Sequence, residues 1–255
     1  MRPTIILVHG AYHSSSHFDK LASCLQRAGY EVEAVDLPSV GIEQDPGDAL
    51  RRDTKAVLLA IEKLTNEGKN VVCGSEAAAS FLTQRHQTPQ TNHPHGTITR
   101  LIYLNADILP QNQSWLDTHP ATKHPLIANL PVTLDKTSNM LTFLEPLKYF
   151  YTPTTSPLEA EIATSTLKPM ATSAFAQKAE FDASRTWAAY RIPVSYVGCK
   201  QDGMLPWEMQ QEYVAGLRAA GGSVSSTWLD YDHSPFVSHA EEVAQLIEVA
   251  IDKSE

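Results

Sequence analysis

The most informative segment of this 255-residue chain is NVVCGSEAAAS, residues 70–80. Its first part is typical of a buried strand, Gly74 allows a sharp turn, and Phe81 and Leu82 continue the apolar pattern at helical spacing. The segment therefore predicts a strand, a tight turn and a helix. In such an elbow one polar residue stands at the apex, with a strained backbone and an exposed side chain.

The spacing within the elbow selects Glu76 as the apical residue. In the pattern G-x-S-x-G the nucleophile stands two residues after the first glycine, and Glu76 stands two residues after Gly74, with Ala78 at the last glycine position. An apex at Ser75 would put Cys73 in the first glycine position and shorten the strand by one residue. We therefore predict that a carboxylate occupies the position of a serine nucleophile.

Composition and charge favour a small-molecule partner. The formal net charge is -9 and no run of Lys or Arg occurs, whereas nucleic acids and anionic membranes require a basic surface. The apolar run at residues 5–8 is too short for a signal peptide, and no stretch is long enough to span a bilayer, so we expect a cytoplasmic location. The three cysteines lie far apart among apolar neighbours, which favours reduced thiols. No metal or cofactor is expected, and the sequence leaves open a monomer or a homodimer.

Strand and helix signals alternate along most of the chain. Strands are predicted at residues 4–8, 30–36, 98–105, 194–198 and 224–229, and helices at residues 17–28, 47–66, 76–84, 206–220 and 240–252. This alternation predicts an α/β fold built on a doubly wound, mainly parallel sheet.

Strand signals stop between residues 106 and 189, where Pro, Thr and short amphipathic helices follow. We predict one domain over residues 1–255, with a core at 1–106 and 190–255. A helical lid at about residues 107–189 is inserted after the strand that follows the elbow helix. Aromatic residues of the lid either line a pocket or form the lid's own core. They are Trp115, Phe143, Tyr149, Phe150, Tyr151, Phe175, Phe181 and Trp187.

Two polar residues follow predicted strands in the last quarter of the chain. Asp202 comes after the strand at 194–198, and His233 comes after the strand at 224–229. Sites in open parallel sheets gather at the carboxyl ends of strands. The order of elbow, acid and histidine is that of an α/β-hydrolase triad. We therefore predict that Glu76, Asp202 and His233 form the catalytic group.

Several motifs together resemble the small α/β-hydrolase family that includes plant methylesterases and hydroxynitrile lyases, with fungal and bacterial relatives. They are VHGA at 8–11, DLP at 36–38, LNADILP at 104–110, Asp202, and HSPF at 233–236. The resemblance covers almost the whole chain. The chain departs from the family at the apex of the elbow, where the family has serine.

The resemblance also implies roles for individual residues. Asp202 would orient the imidazole of His233, and the backbone N–H groups of Ala11 and Ala77 would form the oxyanion hole. The lyases of the family use a Lys directly after the catalytic histidine and a Thr beside the oxyanion loop. Here Ser234 and Gly10 stand at those positions, which disfavours cyanohydrin cleavage.

Three residues near these positions are further candidates for contact with the substrate. Tyr12 and His13 follow the oxyanion turn, and Ser75 precedes the apex. The sequence also places His119 and His124 in the lid, where they could enter the pocket, whereas Asp232 fits a turn better than the triad.

Electrostatics predict what a glutamate at the apex does. At a helix N-terminus the dipole stabilises its negative charge by about 0.3–1 kcal/mol, so Glu76 stays ionised. His233 then lies between two carboxylates, which raise its pKa and keep it protonated. A protonated imidazole cannot act as the base that a serine nucleophile requires. A carboxylate base beside an imidazolium acid suits dehydration, isomerisation, cyclisation or aldol and C–C lyase chemistry instead.

Three functions stay open on the sequence alone. The first is a non-hydrolytic enzyme acting on a small apolar metabolite of secondary metabolism. The second is an esterase or lactonase that uses Ser75 or a glutamyl ester of Glu76. The third is a small-molecule-binding homologue that has lost its reaction.

Overall fold

A computed structural model of the protein describes residues 2–74, 77–87, 95–119 and 130–252. Within these ranges the chain forms nine strands and eleven α-helices. The strands are β1 (Thr4–Val8), β2 (Val32–Val35), β3 (Val71–Cys73), β4 (Ile98–Leu104), β5 (Val132–Asp135), β6 (Met140–Phe143), β7 (Met170–Ala171), β8 (Val194–Cys199) and β9 (Val224–Leu229). The helices are α1 (Asp19–Arg27), α2 (Ala49–Asn66), α3 (Ala77–Gln87), α4 (Trp115–Thr118), α5 (Pro146–Phe150), α6 (Pro157–Ser165), α7 (Ser173–Ala176), α8 (Ala183–Ala189), α9 (Trp207–Ala219), α10 (Pro235–Ser238) and α11 (Ala240–Asp252).

Six strands form the central sheet, in the spatial order β2-β1-β3-β4-β8-β9. All neighbouring pairs in this sheet run parallel. The predicted doubly wound, mainly parallel sheet is therefore confirmed. None of the helices formed by the described residues is long and apolar enough to cross a membrane.

Both faces of the sheet are covered by helices. Successive side chains of a strand point to opposite faces, and β1 follows this rule. Ile6 packs into a core cluster with α2, α3 and α9, whereas Ile5 and Leu7 pack against α1 and α11 on the other face. The near-continuous apolar sequence of β1 reflects this burial on two sides.

The elbow begins where β3 passes very close to β4. A Cβ atom built on Gly74 would lie 2.1 Å from the carbonyl oxygen of Ile102, so only glycine fits there. Helix α3 starts at Ala77, and the first three residues of this helix are fully buried alanines. Small side chains thus let the helix approach the sheet closely, as the sequence predicted. Ser75 and Glu76 lie outside the described residues.

The segment between β4 and β8 forms a lid that is not purely helical. Strands β5, β6 and β7 form a small antiparallel sheet, so the prediction that strand signals stop here was wrong. The signal was the alternation in VTLD and MLTF around a turn of Lys, Thr, Ser and Asn. Asn139 closes this turn with a φ of 54°, a conformation that Asn tolerates better than most residues.

Two of the aromatic residues that we expected to line a pocket or to form the lid's own core do neither, because they lie in or against the main core. Trp187 of α8 is fully buried against the sheet, and its Nε1 donates to the hydroxyl of Tyr103 at 3.1 Å. Phe181 packs against the same cluster. Other lid aromatics, including Phe143, Phe150 and Tyr151, form a second core cluster beneath the lid.

Candidate active site

A largely apolar cavity of about 600 Å³ opens at the carboxyl ends of the central strands, beneath the lid. Its lining includes the loop after β1, residues 105–107 after β4, and His233 after β9. Four of the predicted pocket aromatics line it, namely Trp115, Phe143, Phe150 and Phe175. The position agrees with the general rule for sites in open parallel sheets.

The structure brings together two of the three predicted catalytic side chains. The Nδ1–H of His233 donates to Oδ2 of Asp202 at 2.8 Å. The other oxygen of Asp202 accepts the backbone N–H groups of Met204 and Leu205, at 2.7 and 2.8 Å. Asp202 is thus fixed in one orientation, and it fixes the imidazole in turn. The side chain of Asp202 is fully buried, whereas that of His233 keeps 22% of its surface exposed.

The electrostatic surroundings of His233 favour its protonated form. Burial by itself lowers the pKa of His233, but the negative charges of Asp202, Asp107 and Asp232 outweigh burial. The pKa of His233 therefore lies above its usual value, which is the direction expected from the sequence. The ring of Phe150 covers one side of the imidazole, with the two ring centroids 5.6 Å apart.

The third predicted catalytic residue, Glu76, lies outside the described residues, and so does Ser75. The positions on either side of this pair are described. Gly74 lines the cavity, and Ala77 is fully buried at the start of α3. Ala11, the other predicted oxyanion-hole residue, also lines the cavity. The roles of the two backbone N–H groups stay predictions.

The loop after β1 carries backbone strain at the cavity wall. Tyr12 has a φ of 65°, which is unfavourable for an aromatic residue, and it packs against Phe143 of the lid at 5.5 Å between ring centroids. Strained residues of this kind concentrate at functional sites because the surrounding packing holds them in place. Tyr12 and His13 both line the cavity, and their contact with a substrate stays a prediction.

His13 also links this loop to the lid. Its Nδ1–H donates to the carbonyl of Ala11 at 2.7 Å, and its Nε2 accepts the hydroxyl of Tyr151 at 2.9 Å. Burial, together with nearby His17, holds the pKa of His13 well below its usual value. His13 is therefore neutral, with both ring nitrogens occupied. Only the carbon edge of its ring is left for contact with a ligand.

Sequence reasoning missed Asp107 as a candidate functional residue. Asp107 follows β4 by three positions and lines the cavity, where it contacts His119 of the lid, with 3.0 Å between Oδ1 and Nε2. The rule that sites gather at the carboxyl ends of strands could have selected it, as it selected Asp202.

Among the described residues no group of three or more His, Cys, Asp or Glu side chains could hold a metal ion. The other candidate histidine of the lid, His124, lies outside the described residues.

Asp232 is a buried anchor as well as a turn residue. Its carboxylate accepts the backbone N–H groups of Thr154 and Thr155, at 2.9 and 2.7 Å, and that of Ser234 at 3.2 Å. The last contact is the turn that the sequence predicted. The first two tie the lid to the segment that carries His233.

Together, the parallel sheet, the elbow and the Asp202–His233 pair under a lid define an α/β-hydrolase fold. The model of the alpha/beta hydrolase family matches residues 5–246. The chain therefore belongs to this family, and the family predicted from the sequence is confirmed.

One curated relative is the alpha/beta hydrolase nvfD of Aspergillus novofumigatus. The two sequences are 30% identical over 118 residues, which make up 45% of this chain and 47% of that protein. The match thus spans about half the length of the relative.

Solved structures with the same fold cover nearly the whole chain. One of them is an extracellular alpha/beta-hydrolase from a Paenibacillus species, which shares structural and functional homology with tobacco Salicylic Acid Binding Protein 2. Its structure matches with a TM-score of 0.71 at 20% sequence identity, and the match covers 97% of this chain and 98% of that one. The methylesterase MES16 from Arabidopsis has a TM-score of 0.68 at 18% identity, covering 98% of each chain. At these identities the likeness shows the fold alone.

Proposed function

We propose that the protein is an enzyme in which Glu76 acts as a general base and protonated His233, oriented by Asp202, acts as a general acid. The reaction is non-hydrolytic, a dehydration, cyclisation, isomerisation or C–C bond cleavage of the aldol type. The substrate is a small, largely apolar metabolite of secondary metabolism. The backbone N–H groups of Ala11 and Ala77 donate hydrogen bonds to the oxyanion or enolate that develops during the reaction.

The observation that carries this proposal is the hydrogen bond of 2.8 Å between His233 and Asp202, together with the raised pKa of His233. A serine hydrolase needs a neutral imidazole to take the proton of its nucleophile. The raised pKa of His233 favours the protonated ring, which is a donor instead. Such a group can protonate a leaving oxygen or a carbonyl while a separate base removes a proton from carbon.

The separate base in this proposal is Glu76. Its assignment depends on its place in the chain, because Gly74 is sterically required at the turn and Ala77 starts the following helix. By its spacing in the sequence, we assign Glu76 to the position of the nucleophile in the elbow pattern. A carboxylate that stays ionised beside an imidazolium can accept a proton from carbon.

Hydrolysis is the second candidate function, and the names of relatives favour it. The curated relative is called a hydrolase, and the Arabidopsis neighbour is a methylesterase. In this case Ser75 attacks the substrate, or Glu76 forms a glutamyl ester that water then cleaves. A binding protein without chemistry is the third candidate, since a fold can keep its pocket after losing its reaction.

Two chromogenic probes separate these functions without knowledge of the natural substrate. The compound 5-nitrobenzisoxazole opens to a coloured phenol after loss of one proton from carbon, whereas p-nitrophenyl butyrate releases its colour only on ester cleavage. We expect the wild-type protein to accelerate the first reaction and not the second. Glu76→Gln keeps the shape of the side chain but removes the base, so the rate with 5-nitrobenzisoxazole falls by about 10²–10⁴-fold.

Ser75→Ala is the matched control, and it leaves the reaction of 5-nitrobenzisoxazole unchanged. Cleavage of p-nitrophenyl butyrate that is lost in Ser75→Ala, or a covalent adduct on Glu76 seen by mass spectrometry, would establish hydrolysis instead. No turnover of either probe would contradict both enzymatic proposals and leave the binding protein. Glu76→Ser provides a further check, because a serine at the apex should introduce cleavage of p-nitrophenyl butyrate.

A further inference from the structure

The wall of the cavity holds a second polar cluster, which shares no residue with the Asp202–His233 pair. Its centre is Asp107, at the carboxyl end of β4, and three side chains donate to its carboxylate. Oδ1 accepts the hydroxyl of Tyr213 at 2.9 Å and Nε2–H of His119 at 3.0 Å. Oδ2 accepts Nε1–H of Trp115 at 3.1 Å.

The donors hold the carboxylate in a single orientation. Trp115 and His119 come from α4 and the residue after it, and their rings stack at 4.1 Å between centroids with 12° between planes. Tyr213 reaches in from α9 on the other side. The side chain of His119 is only 1% exposed. The carboxylate is thus held from several sides at the wall of the cavity.

The surroundings of Asp107 favour its ionised form. Burial raises the pKa of Asp107, but the hydrogen bonds and charge of His119, with the hydrogen bonds of Tyr213 and Trp115, outweigh burial and lower it overall. The ring of His119 is held from its other side as well, because its Nδ1 lies 2.9 Å from both the carbonyl of Trp115 and the hydroxyl of Thr118.

The carboxylate retains capacity for one more donor. A carboxylate has about four acceptor positions, and three are filled. The side chain of Asp107 keeps 32% of its surface exposed, and Asp107 is the only carboxylate among the described residues that line the cavity. We propose that Asp107 is a substrate-binding residue that accepts a hydrogen bond from a hydroxyl group of an otherwise apolar ligand.

The largely apolar lining of the cavity determines which donor fits. A cationic amine would lose its hydration there, and the one acceptor position left on Asp107 replaces only part of it. A neutral alcohol, phenol or enol pays a smaller desolvation cost and gains a charge-assisted hydrogen bond. This inference rests on the proposed function only in treating the cavity as the substrate site. The substrate then carries its hydroxyl at Asp107 and its reacting atoms at His233.

A matched pair of probes tests the inference by binding alone. We compare 2-naphthol with 2-methoxynaphthalene by isothermal titration calorimetry at pH 7. The two compounds differ in the presence of a hydroxyl donor. We expect the wild-type protein to bind 2-naphthol at least about tenfold more tightly, which corresponds to about 1.4 kcal/mol. A crystal structure with 2-naphthol should place its hydroxyl within hydrogen-bond distance of Asp107.

Variants assign the preference to this cluster. In Asp107→Asn the preference falls to about twofold or less, because a neutral amide accepts more weakly than a carboxylate. In Asp230→Asn it persists, because that exposed carboxylate pairs with Lys200 and does not line the cavity. Equal affinities in the wild type, an undiminished preference in Asp107→Asn, or a naphthol hydroxyl bound elsewhere would each overturn the proposal. If the protein prefers 2-naphthol but does not turn over 5-nitrobenzisoxazole, only the proposed function would be overturned.

Discussion

At the scale of the residue, His233 shows how neighbouring groups determine the pKa of one imidazole. Asp202 contacts its Nδ1 at 2.8 Å, while Asp107 and Asp232 add negative charge from further away. These carboxylates overcome the effect of burial, which would otherwise keep the ring neutral. The protonation state of His233 is thus a property of the whole cluster, and a change in one carboxylate should be measurable at the ring.

Replacement of Asp202 tests this dependence. In Asp202→Asn the amide still accepts the N–H groups of Met204 and Leu205, but it presents an N–H donor to Nδ1 of His233. We expect the pKa of His233 to fall, as followed by NMR titration of the ring protons, and turnover of 5-nitrobenzisoxazole to fall by about 10²–10⁴-fold. The control is Asp230→Asn, three positions from His233, whose exposed carboxylate pairs with Lys200 at 3.1 Å. An unchanged pKa of His233 in Asp202→Asn would contradict this account.

The two polar clusters differ in how far the sequence could predict them. Asp202 and His233 each follow a strand signal in the expected chain order, so local patterns were sufficient. Asp107 also follows a strand, but its partner Tyr213 lies 106 positions away on a helix face with no distinctive motif. Such a contact depends on how α9 is placed on the sheet, which no local pattern encodes. The apical Glu76 stays a prediction from spacing.

At the scale of the element, the close approach of β3 and β4 determines the start of the elbow. The position of Gly74 leaves no room for a side chain because the opposing atom is a backbone carbonyl, which cannot rotate away. Any added methyl group must push the two strands apart. The neighbouring cavity wall, which Gly74 helps to form, would move with them.

Gly74→Ala should therefore lower the free energy of unfolding by about 3 kcal/mol, at the upper end of the usual cost of overpacking. Urea denaturation followed by circular dichroism measures this change. Gly216→Ala is the matched control. That residue is exposed on α9 and an added Cβ meets nothing within 4 Å, so the substitution should raise stability by about 0.5–1 kcal/mol. Equal effects of the two substitutions would refute the steric argument.

The elements of the central sheet were predictable, whereas those of the lid were less so. Central strands such as β1 and β8 are buried on both sides and carry long apolar runs. Strand β5 alternates over only four residues and is exposed at all of them, and β7 has only two residues, so their sequence signals are short. Their pairing is determined by contact with the loop at Val40 and with the lid core. Tertiary contacts therefore determine that these residues form strands, which their local propensity alone does not predict.

At the scale of the whole molecule, the lid is held to the core by charged and polar contacts. Glu159 of α6 receives hydrogen bonds from Lys20 of α1, from Ser156, and from Ser238 of α10. These bonds, with that of Lys20 the strongest, lower the pKa of Glu159 to about 2. Because the folded pKa is depressed, the stabilisation is present above the usual value of 4.5 and is lost as pH falls towards 2.

Glu159→Gln should reproduce the loss of this contact at neutral pH. We expect faster hydrogen exchange in residues 146–176 of the lid, while exchange in the central strands is unchanged, as measured by mass spectrometry. The control is Glu161→Gln on an exposed position of the same helix, which should leave lid exchange as in the wild type. In the wild type, lowering the pH from 5 towards 2 should reduce the protection of the lid, measured relative to the intrinsic exchange rate at each pH, before it affects the sheet. Identical exchange in both variants would show that Glu159 does not hold the lid.

The position of Asp232 has a consequence for how the lid and His233 move together. Its carboxylate holds Thr154 and Thr155 of the lid, and the next residue along the chain is His233. Any movement that frees the lid segment therefore pulls on the backbone that supports the imidazole. Under the function proposed above, entry of a ligand past a displaced lid and proton transfer by His233 would take place in different conformations of the protein.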